Sequence, residues 1–291
     1  MSLFESLESN GSVSLNSLFI GDDVQGISSL QLEDTAFALA RGGWPASVKM
    51  TGEYALTHAY EYVNSVIKSD ISRVDGVSRD PLRVERLIRS LARNISTTAK
   101  TETIIADVNG NEMGSIASDK TVYSYIDALR RIFVIEDLPA WSPNMRSRTT
   151  LRSASKRHFT DPSIAAALLG MSPEGLMNDF NTFGLLFESM CIRDLRVYAQ
   201  AMHGKLFHYR DRNGLEVDAV ISLRDGRWGA VEIKMGEKRV NEGIRNLKKF
   251  TEKVDLEKMG KPSFLMVMTA GQYAHRTNEG VYVVPAGCLK N

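Results

Sequence analysis

Two cysteines, Cys191 and Cys288, are all that the 291 residues contain, and neither has a second Cys or a His at metal-ligand spacing. That excludes a disulfide framework and a structural zinc site, and a reducing compartment such as the cytoplasm is the expected location. Long hydrophobic runs are missing as well: no stretch of about 18 apolar residues occurs. The first twenty residues, rich in Ser, Asn and Glu, have no basic segment followed by an apolar one, so neither a membrane span nor a secretory leader is expected. Charge of one sign is scarce, since 36 Lys and Arg against 35 Asp and Glu leave a net charge of +1. No global field attracts a polyanion, and any nucleic-acid site must be a local patch. There is no G-x-x-x-x-G-K-[ST] phosphate loop and no G-x-S-x-G, and His58, His158, His203, His208 and His275 form no i, i+4 pair. An ATP site of the phosphate-loop kind, a serine nucleophile and a zinc hydrolase centre are therefore not expected.

What is present suffices for more than one core: 43% of the residues are hydrophobic, and the length suggests about two domains. The opening MSLFESLESNGSVSLNSLF has no sustained helical period and reads as irregular chain or a short strand. From Leu30 to about Ile71 apolar residues recur at helical spacing on either side of GGWP at 42–45, which predicts helix, sharp turn, helix. Pro81 can open a further helix with a stripe of Val84, Leu87, Ile88, Leu91 and Ile95, leaving Arg83, Arg86, Arg89 and Arg93 on other faces. A short helix near Thr101 to Asp107, a Gly/Asn turn at 109–114 and a helix from Ser118 or Asp119 to Arg131 follow, then the apolar strand IFVIEDL. That order suits a winged helix-turn-helix. Lys120, Thr121, Ser124, Asp127 and Arg130 fall on or near the exposed side of its last helix, which either enters a DNA groove or is simply solvated. The segment from Trp141 to Phe159, with Arg146, Arg148, Arg152, Lys156 and Arg157, reads as a basic loop or linker able to meet phosphates.

The chemistry concentrates downstream. Residues 180–200 form a strong helical candidate on which Glu188 lies among Gly184, Leu185, Ile192 and Leu195. A carboxylate on an apolar face must meet a cation, become protonated or pair with an Arg or Lys. In LEVDAVIS at 215–222, alternation places Glu216 and Asp218 on one face of a strand. In WGAVEIK it places Glu232 and Lys234 on one face of the next. Arg224-Asp225-Gly226 suits a three-residue hairpin turn, in which register Asp218 faces Glu232 and Glu216 faces Lys234. Directly opposed Cβ atoms stand roughly 4.5–5.5 Å apart, close enough for two carboxylates to share Mg²⁺ or Mn²⁺, with the Ile233 carbonyl as a further ligand and Glu188 completing or orienting the shell. Lys234 would then position a water or stabilise negative charge during phosphodiester hydrolysis. The alternative is a half-exposed hairpin with an ordinary Glu216–Lys234 ion pair. Arg210 either holds a phosphate or pairs with Glu216 or Asp211. Beyond the second strand a helix over 240–256 carries Arg245, Lys248, Lys249 and Lys253 outside and Ile244, Leu247 and Phe250 inside.

Glu188, Asp218 and Glu232-Ile233-Lys234 resemble, in order, the helix Glu, strand Asp and (D/E)-x-K strand of the PD-(D/E)XK, or restriction-endonuclease-like, phosphodiesterases. Val217 stands where that pattern has Pro, and relatives of the fold often lose catalysis. RGGWPA, TVYSYIDALRRIFVIEDLPAW, the FTDPSIAAALLG segment, FGLLFESM and HYRDRNGLEVDAVI resemble the C-terminal region of bacterial and archaeal AAA-type ATPase proteins that end in a domain of unknown function. The resemblance implies a truncated form or a separately encoded remnant, with residues 1–29 the end of an ATPase module. The expectation is thus an α/β (α+β) chain: a helical and winged-helix module over 30–155, then a restriction-endonuclease-like mixed sheet flanked by helices over 156–291. It implies DNA binding with Glu188, Asp218, Glu232 and Lys234 as the catalytic set and Mg²⁺ or Mn²⁺ as cofactor. The alternative it implies is a non-catalytic module that docks DNA, a protein partner or a separate ATPase module.

Overall fold

The computed structural model describes residues 1–109, 118–142 and 155–291. The fold is mixed α/β, with a mixed seven-stranded sheet flanked by helices. Among the described residues no helix is long and apolar enough to cross a membrane. Contacts divide the chain into two compact units, both discontinuous: Met1–Thr35, Leu138–Ser155 and Met190–Asn291 form one, Ala36–Asp137 and Lys156–Ser189 the other. This division differs from boundaries at 29 and 155. The leader joins the sheet unit because its short strands find partners there. Val13 and Ser14 pair in parallel with Leu289 and Lys290, and Gly26 and Ile27 pair antiparallel with Ala274 and Tyr273.

In the sheet unit the strands run in the order Gly26–Ile27, Tyr273–Arg276, Tyr282–Pro285, Phe264–Thr269, Trp228–Lys234, Glu216–Ser222 and Lys205–Arg210. The central three, from Tyr282–Pro285 to Trp228–Lys234, are parallel and the outer ones antiparallel. Parallel neighbours need a long crossover, supplied between Trp228–Lys234 and Phe264–Thr269 by a segment containing the helix Val240–Lys253. That helix ends three residues before the expected 256. Its Ile244, Leu247 and Phe250 join Trp141, Val220, Trp228, Ala230 and Val267 in a core cluster. Burial of each such side chain stabilises the fold by about 1.5–3 kcal/mol. Trp141 reaches this cluster because Ala140 bridges His208, where the ladder between Lys205–Arg210 and Glu216–Ser222 is irregular. Trp228–Lys234 is buried at every residue but the last, as expected of a central strand and not of a half-exposed hairpin.

The helical unit contains Glu53–Ser65, which runs through a π turn, Val66–Asp70, into Ile71–Arg73. It also contains Pro81–Arg93, Thr101–Asn109, Asp119–Arg131, Pro162–Leu169 and Pro173–Asn178. Pro81 stands at N1 behind Asp80, whose carboxylate accepts from the Leu82 amide at 3.0 Å, and the predicted stripe of Val84, Leu87, Ile88 and Leu91 is buried. Ser118 caps Asp119–Arg131 by accepting from the Thr121 amide. Ile135–Leu138 pairs with Lys156–Phe159 after these three helices, the element order of a winged helix. Lys156 and Arg157 are therefore strand residues and not linker. The amides and carbonyls at the end of the chain's basic stretch are taken up by a two-stranded ladder that local composition does not reveal. Residues 110–114, Arg146, Arg148 and Arg152 lie outside the described residues. The GGWP turn is pinned by the FTDPS segment: Gly43 donates to Asp161 Oδ2 at 2.9 Å and Trp44 Nε1 to Ser163 Oγ at 2.9 Å. Gly42, at φ +77°, has no room for a side chain there, since a Cβ would stand 2.3 Å from Ser163 Oγ.

Candidate functional site

The hairpin that carries Asp218 and Glu232 takes the register its turn length dictates. Leu223 and Arg227 close the turn, with the Leu223 amide donating to the Arg227 carbonyl at 2.8 Å. Gly226 takes the left-handed conformation at φ +90°, and Ala219 pairs with Val231, Val220 with Ala230 and Ser222 with Trp228. Continued by one residue, that register sets Asp218 opposite Glu232. There the main-chain ladder between the two strands gives way to side chains. The Ile233 amide donates to Asp218 Oδ2 at 2.8 Å, and Asn246 Nδ2 donates to the Glu216 carbonyl at 2.5 Å. The open end of the hairpin is thus held apart by hydrogen bonds that satisfy buried backbone groups while fixing both carboxylates.

Asn246 Nδ2 also donates to Glu232 Oε1 at 2.7 Å, and Lys234 Nζ lies 2.5 Å from Glu232 Oε2 and 3.5 Å from Asp218 Oδ2. The helix Val240–Lys253 approaches closely enough to do this because Gly243 lies over the strand. A Cβ there would come within 3.3 Å of the Glu232 Cβ and 3.4 Å of the Lys234 Cγ. Glu232 is only 2% exposed. Burial, and after it the charge of Asp218, push its carboxyl up to about 8, against the opposing pull of Lys234 and Asn246. At the rim, Arg239 holds its proton more firmly, first through its hydrogen bond to Glu242 and more weakly through Asp218 and Glu232.

This donor set consists of hard oxygens, two carboxylates and the neighbouring Ile233 carbonyl, which suits Mg²⁺ or Mn²⁺ and not a soft metal. Among the described residues no group of three or more His, Cys, Asp or Glu side chains is placed to hold a metal ion. Glu188 belongs to the helical unit, where its Oε1 lies 3.0 Å from the Nζ of buried Lys156. This is one of the alternatives open to a carboxylate on an apolar face. Arg210 Nη1 stands 3.9 Å from Glu216 Oε2, its partner in the ladder. In the helical unit Arg130 Nη2 lies 2.8 Å from Asp137, the Thr121 hydroxyl meets the Ser118 cap, and Lys120 is exposed. Sequence reasoning missed Asn246 and Gly243. The available signal was a small residue and an amide three apart on the inward stripe of an otherwise apolar helix face.

Residues 183–289 match DUF4143. This is a domain of unknown function commonly found in AAA-ATPase-associated proteins. Asp218, Glu232, Lys234 and Asn246 all fall within the DUF4143 match, as does the hairpin that aligns them. Residues 32–175 match a second domain of unknown function, DUF8612, which takes in the GGWP turn and the three helices with their two-stranded sheet. No curated protein matches the chain.

Proposed function

We propose that the sheet unit is a divalent-metal-dependent phosphodiesterase-like domain of the PD-(D/E)XK kind, acting on DNA in an AAA-ATPase-associated protein. The observation that carries this reading is the buried pair Asp218 and Glu232 with Lys234 beside both, in the order of the PD-(D/E)XK pattern. Asp218, Glu232 and the Ile233 carbonyl would hold Mg²⁺ or Mn²⁺, which when bound polarises a phosphoryl oxygen and lowers the pKa of a coordinated water. Asn246 orients Glu232, the Ile233 amide orients Asp218, and Lys234 places a positive charge where negative charge would accumulate.

A second reading, a non-catalytic docking module, draws support from the same lysine. Its ammonium already lies against both carboxyl groups, where a metal ion would otherwise be needed, and Glu188 is engaged by Lys156. Calorimetric titration of Mg²⁺ and Mn²⁺ into wild type and Asp218→Ala, with a DNA-cleavage assay on the same samples, separates the two. Metal binding and cleavage lost together in the variant are expected; a wild type that neither binds metal nor cleaves leaves the docking module as the function.

A further inference from the structure

The helical unit contains a cleft that plays no part in the carboxylate site. Arg86, Arg89 and Arg93 from Pro81–Arg93, Asp107 from Thr101–Asn109, and Leu168 and Leu169 from Pro162–Leu169 line a cavity of about 290 Å³. Spacings of three and four residues put the three guanidinium groups in one row along the helix. The opposite stripe of that helix is buried in the core, so the row sits on a fixed backbone. Arg93 Nη2 lies 3.1 Å from Asp107 Oδ2, and the same carboxylate oxygen accepts from the buried Ser90 hydroxyl at 2.6 Å. Arg89 Nη2 lies 3.1 Å from Glu85 Oε1.

These contacts favour an anionic occupant. The Arg89 and Arg93 side chains are 60% and 61% exposed, and ion pairs in such positions are worth less than about 1 kcal/mol. Forked, charge-assisted hydrogen bonds to phosphate oxygens are stronger and match guanidinium geometry. Three guanidinium groups against the carboxylates of Asp107 and Glu85 leave one net positive charge, and Leu168 and Leu169 give the cleft an apolar wall that inorganic phosphate would not use. Its volume lies just below the range for drug-sized sites, roughly 300–1,000 Å³, which suits one phosphorylated ring and not an extended chain. We propose that this cleft binds a small phosphomonoester, its phosphate held by Arg86, Arg89 and Arg93 and its apolar or aromatic body against Leu168 and Leu169. Asp107 is a positioning residue, held by Ser90 and in turn fixing the Arg93 fork.

The test is calorimetric titration of the full chain with adenosine 5′-monophosphate, adenosine and inorganic phosphate. The mononucleotide is expected to bind at least tenfold more tightly than either fragment. Arg89→Gln/Arg93→Gln should weaken it at least tenfold. Leu169→Ser should weaken the mononucleotide and leave inorganic phosphate unchanged. Arg83→Gln, on the same helix but outside the lining, should bind as wild type does, and matching thermal melts for all variants show that the fold is retained. No mononucleotide binding at millimolar concentration, or binding indifferent to the double substitution, overturns the proposal. So does capture of a twelve-nucleotide single strand through these arginines when the mononucleotide itself does not bind.

Discussion

Replacing Glu232 by Gln tests the electrostatics of the candidate site without depending on any ligand. Its carboxyl is 2% exposed and pushed from an ordinary 4.5 up to about 8 by burial and by Asp218. Between those two values the folded chain keeps a proton that the unfolded chain has released. Stability present at low pH is therefore lost as pH rises through about 8, at a limiting slope of about 1.4 kcal/mol per pH unit. Over the whole window the loss amounts to a few kcal/mol, about half of a typical domain's stability. Gln has nearly the same shape, retains an acceptor for Asn246 and cannot ionise. Urea denaturation at pH 5, 6, 7, 8 and 9 should give curves of stability against pH that nearly meet at pH 5. By pH 9 the variant should lie a few kcal/mol above wild type. Parallel curves across that range would refute the reasoning, because they would mean that Lys234 and Asn246 hold Glu232 ionised in the folded state as readily as water does in the unfolded one.

Further substitutions probe the helical unit, with one in the hairpin turn of the sheet unit for comparison. Lys156→Met leaves Glu188 on an apolar face without the ammonium at 3.0 Å and should destabilise by about 3–5 kcal/mol in chemical denaturation. Lys156→Met/Glu188→Leu should recover most of that loss, and a double variant no more stable than the single one would show that the pair is not what the site depends on. Gly42→Ala and Gly226→Ala share a positive φ but differ in surroundings. The first drives a Cβ to 2.3 Å from Ser163 Oγ and 2.7 Å from Asp161 Oδ1, the second meets open space. Thermal melts should show losses of about 2–4 kcal/mol and about 1 kcal/mol respectively, and equal losses would contradict the close packing assigned to the GGWP turn.

The elements most readily read from the residues were those set by local rules. The Arg224-Asp225-Gly226 turn and the alternation on either side of it fix the hairpin register, since a slip of one residue would turn every side chain to the other face. The stripe in Pro81–Arg93 and the Asp80 cap work the same way. What depends on distant chain was hidden. The opening segment could be read only as irregular chain or a short strand, because the strand partners that decide it lie near residues 273–274 and 289–290. Lys156 looked like part of a solvated basic stretch because its partner, Glu188, is brought to it by folding. Asn246 belongs to the site because Gly243 lets its helix approach the strand, a distance that periodicity does not encode. Two parts were expected, but the discontinuous make-up of each unit was hidden for the same reason, since a contiguous boundary is all that composition shifts can suggest.

The pairing of Val13 and Ser14 with Leu289 and Lys290 is reinforced by side chains. Ser9 Oγ donates to the Leu289 carbonyl at 2.7 Å and Ser14 Oγ to the Asn291 carbonyl at 2.8 Å. During vectorial synthesis residues 13–14 therefore emerge well before residues 289–290 and wait for all the intervening sequence before they have that strand to join. The helical unit, whose residues end at Ser189, closes over shorter separations and can be complete while the ribosome is still reading the strands from Lys205 onward. The leader's Leu15, Leu18 and Phe19, all buried in the finished protein, stay uncovered through that interval. Chaperone dependence and aggregation during expression should trace to these residues waiting on a strand made about 270 residues later.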